Sequence, residues 1–346
     1  MQVRENIPLA PLTTIGVGGP ARYLVEAKTA EEVKEAVRYA RQKTAPLFVL
    51  GGGSNLVVSD RGWPGLVVKV AIAGIEAQQD GARFDVGAGE NWDGFVATVV
   101  GLGCQGVECL SGIPGSVGGT PVQNVGAYGQ QVSESIESVQ VFDLRDHQIR
   151  NLCAEACAFS YRSSIFNTTE QDRYIILRVT YVLVPGGVPQ IRYADLKKHF
   201  EESRPGPSLA ETREAVRQIR ASKAMLITPG DEDSRSAGSF FKNPVLTAEQ
   251  YEELTRRAGS RGLHIPIYPA LEAQRKVSAA WLVEHSGFAR GYRLGRVRIS
   301  RKHALAIVNC GGATAPEVMA LKDEIERRVE QMWGIRLEPE PVFVGF

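Results

Sequence analysis

Between Ser111 and Gly129 the chain reads SGIPGSVGGTPVQNVGAYG, and no other stretch limits the possible folds as much. Gly112, Gly115, Gly118, Gly119, Gly126 and Gly129, with Pro114 and Pro121 among them, exclude a regular helix or a central strand. Ile113, Val117, Val122, Val125 and Tyr128 are interleaved with the glycines, so the segment is not a flexible linker. Such a stretch suits backbone that lies close against a ligand, with N–H groups turned to phosphate or ring heteroatoms. On composition alone, a compact cluster of surface turns is the competing reading.

A second stretch favours the ligand reading. Pro46-Leu47-Phe48-Val49-Leu50 predicts a short buried strand that runs into Gly51-Gly52-Gly53-Ser54-Asn55 and then Leu56-Val57-Val58. Strand, triple glycine and Ser-Asn make an anion-cradling turn suited to a pyrophosphate. It is not a Walker loop, because no Gly-Lys-Ser/Thr follows. Gly101-Leu-Gly-Cys-Gln-Gly106 matches a dinucleotide fingerprint in text alone. That turn must open a helix, which Gly112, Pro114 and Gly115 forbid, and no acidic residue lies between Glu108 and Glu134.

The rest of the chain predicts alternating short strands and helices. A strand near Tyr23–Glu26 precedes a helix capped by Thr29 and Glu32, with Val33, Ala36, Val37 and Ala40 on one face. A strand over Leu66–Val70 completes this α/β unit. Strands at Phe84–Val86, Ser138–Asp143, His147–Leu152 and Tyr174–Val184 and helices at Asn91–Leu102 and Leu209–Lys223 make a second. The polar loop Thr228–Gly238 reads as a domain boundary, and its Asp231, Glu232 and Asp233 as a solvated turn rather than a metal site. Beyond it come helices from Thr247 and Thr314, a helix near Val277–His285 and a strand Leu305–Asn309. The last helix stops at Gly334, before a terminal strand over Ile335–Phe346.

At 346 residues, with 43% hydrophobic and 23% charged content, the chain is expected to form a soluble protein of more than one domain. A formal net charge of +1 gives no reason to expect a nucleic-acid or membrane partner. No signal-peptide pattern opens the sequence and no apolar run is long enough to span a bilayer, so a cytoplasmic location is expected. The five cysteines, 104, 109, 153, 157 and 310, lack CxxC spacing and read as buried reduced thiols.

LGGGSNLVV and IPGSVGGTPVQNVGAYG closely resemble the UDP-N-acetylenolpyruvoylglucosamine reductases of bacterial cell-wall synthesis. SYRSSIF at 160–166, GSFFKNP at 238–244 and LEPE at 337–340 fit the same family, in the same order. The resemblance runs from about Thr14 to Phe346. It implies an α+β chain with the vanillyl-alcohol-oxidase type of FAD-binding fold. Two FAD-binding subdomains are expected at 1–70 and 71–228, a substrate-binding domain at 229–334, and a terminal strand at 335–346 returning to the FAD-binding part. It also implies noncovalent FAD, NADPH as co-substrate, a UDP-sugar substrate bearing an enolpyruvyl ether, no metal, and a monomer.

In that reaction the vinyl carbon accepts hydride and its neighbour then receives a proton, while charge spreads into the carboxylate. By resemblance, Ser239 is the proton donor, Arg162 the active-site arginine and Glu340 the catalytic glutamate. Tyr128, Tyr193, Lys223, Asn243 and Tyr268 fall where the family contacts the UDP-sugar, with Lys276 and His303 as lesser candidates. Gly51, Gly53, Ser54 and Asn55 are expected to face the pyrophosphate of FAD. Ile113, Gly119, Gln123, Asn124, Val125 and Gly126 are expected to line the cofactor, with Arg162 and Arg220 as further contacts.

The departures are specific. The 224–238 loop is longer than is usual in the family, Ala224-Met225 replaces the usual Leu-Pro, and Val342 stands where some relatives have a flavin-contacting arginine. The Tyr-Pro at 268–269 resembles the subgroup with a tyrosine loop. Two other functions remain compatible with the sequence: another oxidase or dehydrogenase of this flavin fold, and a non-catalytic nucleotide-sugar or flavin-binding protein.

Overall fold

The computed structural model describes residues 1–201, 206–268 and 274–346, the Tyr268 side chain excepted. The chain divides into two units. One is formed by Met1–Ile7, Ala21–Gly53 and Trp63–Ile227, the other by Pro8–Pro20, Ser54–Gly62 and Thr228–Phe346.

In the first unit, Trp63–Val70 lies between Pro20–Ala27 and Leu47–Leu50 and runs parallel to both, with Val3–Pro8 on the outer edge. The Ala30–Gln42 helix is the crossover that joins Pro20–Ala27 to Leu47–Leu50, the two strands flanking Trp63–Val70. Thr29 caps it by accepting the Glu32 N–H, and Val33, Ala36, Val37 and Ala40 are buried as their spacing predicts.

A second, antiparallel sheet has the order Ile149–Cys153, Ile136–Asp143, Tyr174–Val182, Arg83–Gly87, Ile75–Ala77. The strand expected from His147 starts only at Ile149. His147 has a left-handed backbone (φ 62°) and donates its N–H to the Asp143 carbonyl, closing the turn instead. The Trp92–Gly101 helix, capped by Asn91, packs Trp92 and Phe95 onto Tyr181. Gly101–Gly106 closes that helix rather than opening one, as its context predicts.

In the second unit, Val297–Ile299 pairs antiparallel with Arg293–Leu294 and with Ile307–Asn309. The Ala315–Trp333 helix packs on this sheet through Val318, Leu321, Ile325 and Val329. Capping boxes at Thr247 and Thr314 and the left-handed Gly334 (φ 71°) sit where the sequence predicts them. The terminal strand shortens to Val342–Val344, parallel to Leu56–Val58, since Pro339 and Pro341 lack the N–H a longer ladder needs.

Two expectations are corrected. The acidic loop is not simply solvated, because Asp233 is buried and accepts hydrogen bonds from Arg298, Ser300 Oγ and the Arg301 N–H. The carboxylate is buried because its charge is paired and its oxygens are satisfied. Cys104, Cys109 and Cys157 are buried, but Cys153 is exposed and Cys310 half-buried. Among the described residues, no helix is long and apolar enough to cross a membrane.

Candidate active site

The glycine loop is pinned along its length. Trp92 N–H donates to the Gly115 carbonyl (3.1 Å), Val117 N–H to Glu90 (2.9 Å) and Gly118 N–H to Ala88 (2.9 Å). Thr120 Oγ1 and the buried Tyr181 hydroxyl lie 2.7 Å apart. At the loop's start Gly112 has φ 70° and donates its N–H to Asp93 Oδ1 at 2.6 Å. Arg213 and Arg217 pair with the same carboxylate. Burial works to raise the Asp93 carboxyl, but these hydrogen bonds and charges outweigh it and hold the group below its ordinary value.

The triple-glycine turn lies directly against this loop. A Cβ on Gly52 would fall 2.5 Å from the Gly115 Cα, and one on Gly51 2.9 Å from Ser116 Oγ. That Ser116 hydroxyl is buried and has no hydrogen-bond partner among the described residues. Gly53 is buried with φ 66°, while Gly119 and Ile113 are half-buried. Two glycine backbones in contact around a buried, unsatisfied hydroxyl fit a phosphate-bearing cofactor such as FAD.

The SYRSSIF turn is tied to the loop by three side chains. Arg162 Nη1 donates to the Gly126 carbonyl (2.9 Å), Ser164 Oγ to Val122 (2.7 Å) and Asn124 Nδ2 to Ser160 (2.9 Å). Asn124 also donates to Gln131 and accepts the Ser133 N–H, so its amide serves the loop's own architecture. Val125 is buried and Gln123 half-buried. Asn124 (φ 44°), Tyr128 (φ 50°) and Arg162 (φ 55°) all have left-handed backbone, a concentration of local strain among the predicted site residues.

Tyr128 packs edge-on against Tyr193, with ring centroids 5.4 Å apart. The charge of the Arg220 guanidinium also acts on the Tyr128 hydroxyl. Burial raises the Tyr128 hydroxyl and lowers the Arg220 guanidinium from their usual ranges. Arg220 Nη2 donates to the Met225 carbonyl at 2.6 Å, and its buried Nε has no partner among the described residues. The Ala224-Met225 departure belongs to this turn, where Ala224 is left-handed (φ 53°) and ends the Leu209–Ser222 helix. Lys223 Nζ is 2.6 Å from Asp195 Oδ2, two residues after Tyr193.

In the second unit, Phe240 is braced on both sides. Its N–H donates to the Leu305 carbonyl (2.7 Å) and its carbonyl accepts the Glu340 N–H (2.9 Å). Phe240 and Phe241 are buried in the core, which leaves Ser239 half-buried beside the 303–305 turn and the LEPE segment. Ser239 Oγ lies 3.4 Å from His303 Nε2. Asn55 Nδ2 donates to the Glu340 carbonyl (3.1 Å), and Val342 N–H to the Asn55 carbonyl (2.9 Å). The Ser54 carbonyl accepts from Thr14 Oγ1 at 3.4 Å. Asn243 Oδ1 accepts the Ala279 N–H (3.0 Å), which fixes its amide at the start of the Ala279–Glu284 helix. Tyr268 pairs with Lys276 through its backbone; its side chain and residues 269–273 lie outside the described residues.

Gly52, Ser116, Asp93 and Asp195 are absent from the sequence-based site. The Gly52 signal was present in the triple glycine itself; the others acquire meaning only through partners distant in the chain.

Residues 21–152 match the family model described as FAD binding domain. Residues 229–344 match that of the UDP-N-acetylenolpyruvoylglucosamine reductase, C-terminal domain. The chain is 44% identical to a UDP-N-acetylenolpyruvoylglucosamine reductase of Thermobifida fusca over 99% of its length and 98% of the relative's. A reductase of the same name from Streptomyces coelicolor is also 44% identical, over 100% of this chain and 91% of that one. The crystal structure of the corresponding Thermus caldophilus reductase superposes with a TM-score of 0.67 at 29% identity, covering 99% of this chain and 100% of that one. The expected α+β chain with an FAD-binding domain followed by a C-terminal domain therefore holds. The chain belongs to the UDP-N-acetylenolpyruvoylglucosamine reductase family.

Proposed function

We propose that this chain reduces UDP-N-acetyl-3-O-(1-carboxyvinyl)-glucosamine to UDP-N-acetylmuramate with NADPH and FAD, in peptidoglycan precursor synthesis. One observation carries the reading: the Ser239 segment and the LEPE segment are hydrogen-bonded neighbours, in a chain whose relatives of that name match over its full length.

Bound FAD would supply hydride chemistry here, linking NADPH to the vinyl carbon of the enol ether. Gly51–Gly53, Ser116 and the 112–126 backbone would hold it, since a side chain at Gly51 or Gly52 would be crowded out. Ser239 donates the proton to the carbon beside the reduced one. Its poor acidity is no obstacle, because the carbanion-like acceptor is strongly basic. Glu340 orients the substrate and steadies the charge that develops. Arg162 offers a fixed fork of donors to the carboxylate or to the flavin edge. Lys223, Asn243, Tyr193 and Tyr128 are assigned to the UDP-sugar, the first two to its diphosphate. The protein is proposed to act as a cytoplasmic monomer.

An anaerobic titration tests this reading. NADPH should bleach the flavin band near about 450 nm, and the enolpyruvyl sugar should restore it. A bleached flavin restored only by oxygen would point to an oxidase instead. Alternate use of one pocket by the two substrates also predicts parallel initial-velocity lines.

A further inference from the structure

We infer that His303 is a positioning residue for Ser239, fixing which way the serine hydrogen points and stabilising, by hydrogen-bond donation, the charge that the serine oxygen acquires. The inference rests on the proposed role of Ser239 as proton donor.

The geometry of the ring carries it. His303 Nδ1 accepts the Leu305 N–H at 3.0 Å, so the lone pair at Nδ1 is engaged and the neutral ring carries its hydrogen on Nε2. Nε2 is the nitrogen facing Ser239 Oγ, at 3.4 Å. The imidazole therefore donates and the serine oxygen accepts. The serine's own hydrogen is directed away from the histidine and stays available to a substrate carbon. The opposite tautomer would turn the serine hydrogen onto the ring and oppose proton donation.

Neither partner is loosely placed. The Ser300 hydroxyl accepts the His303 N–H at 3.2 Å, and the His303 carbonyl accepts the Ala306 N–H at 3.2 Å. On the serine side, the Phe240 N–H is bonded to the carbonyl of Leu305, the same residue whose N–H fixes the ring. One residue, Leu305, thus sets both the ring tautomer and the position of the serine segment.

The step balances simply. The serine O–H bond breaks as the new C–H bond forms at the carbanion-like carbon. The oxygen keeps the electron pair as an alkoxide, and the alkoxide regains a proton from water after product release. The Nε2–H donor faces that oxygen throughout, so a contact that is long in the resting protein is expected to shorten as negative charge builds on Oγ. Hydrogen bonds to charged groups correspond to roughly ten- to hundredfold in rate.

Stopped-flow measurement of the two half-reactions separates the possibilities. His303→Asn keeps an acceptor for the Leu305 N–H but removes the donor to Ser239. It should slow flavin reoxidation by the enolpyruvyl sugar roughly ten- to hundredfold and leave bleaching by NADPH unchanged. His303→Gln, whose amide N–H reaches the Nε2 position, should recover most of the rate. In the Ser239→Ala background, His303→Asn should add little. A Ser239→Ala enzyme that reoxidises at the wild-type rate would sink the serine assignment itself. If Ser239→Ala is slow but His303→Asn is normal, only the histidine inference falls. It falls equally if His303→Asn slows both half-reactions alike, or if Gln and Asn are equally damaging. Should His303→Asn not fold, the solvent deuterium isotope effect on reoxidation decides, rising in His303→Gln if the contact governs proton donation and staying at the wild-type value if it does not.

Discussion

The carbonyl of Phe240 accepts the backbone N–H of Glu340 at 2.9 Å, which makes neighbours of two segments a hundred positions apart in sequence. Because this bond is made by backbone, a side-chain change at Glu340 leaves it intact. Glu340→Gln is therefore expected to fold and bind FAD normally, while losing roughly a hundredfold or more in flavin reoxidation by the sugar. Normal reoxidation kinetics in this variant would remove Glu340 from the chemistry.

Gly52 is predicted to be intolerant of any side chain. A methyl group there would fall 2.5 Å from the Gly115 Cα, against backbone that is itself pinned. Gly52→Ala should destabilise the protein by about 1–3 kcal/mol and lower the FAD it retains on purification. Gly101→Ala is the control, since nothing lies within 4 Å of the added carbon. Thermal melts and the ratio of flavin to protein absorbance provide the comparison.

Asp93 should confer stability that depends on pH. Its carboxyl is lower in the folded protein than in the unfolded chain, so its contribution is full above the unfolded value of about 3.9 and is lost as pH falls through the lower folded value. Asp93→Asn is expected to cost about 1–2 kcal/mol at pH 7, given the partial exposure of Arg213 and Arg217. Urea unfolding at pH 7 and again below pH of about 3 should show the gap between wild type and variant narrowing in acid.

Lys223 is held by Asp195 at 2.6 Å. If it clamps diphosphate, Lys223→Ala should raise KM for the UDP-sugar roughly ten- to hundredfold and leave NADPH reduction of the flavin untouched. An unchanged KM would reassign Lys223 to the ion pair alone.

Much of the local structure was legible beforehand because its causes are local. Thr29, Thr247 and Thr314 cap the helices they were read to cap, and Gly334 stops the last one, since each satisfies helix-end groups within a few residues. The strand expected from His147 was misplaced because the tight turn at Asp143 extends to His147 itself. Asp233 was misread because its partner, Arg298, lies on a strand that sequence spacing cannot bring to it.

The two glycine stretches, the helix boundaries, the family, and the residue types at 162, 239 and 340 are all legible in the chain's residue order. That Gly52 lies on Gly115, that Asp93 anchors Gly112, and that the His303 ring faces Ser239 follow from packing alone. Capping and backbone freedom act over a few residues and leave a pattern in the chain. A hydrogen bond between distant segments is made only when packing brings donor and acceptor within about 3 Å, and no spacing in the sequence records that.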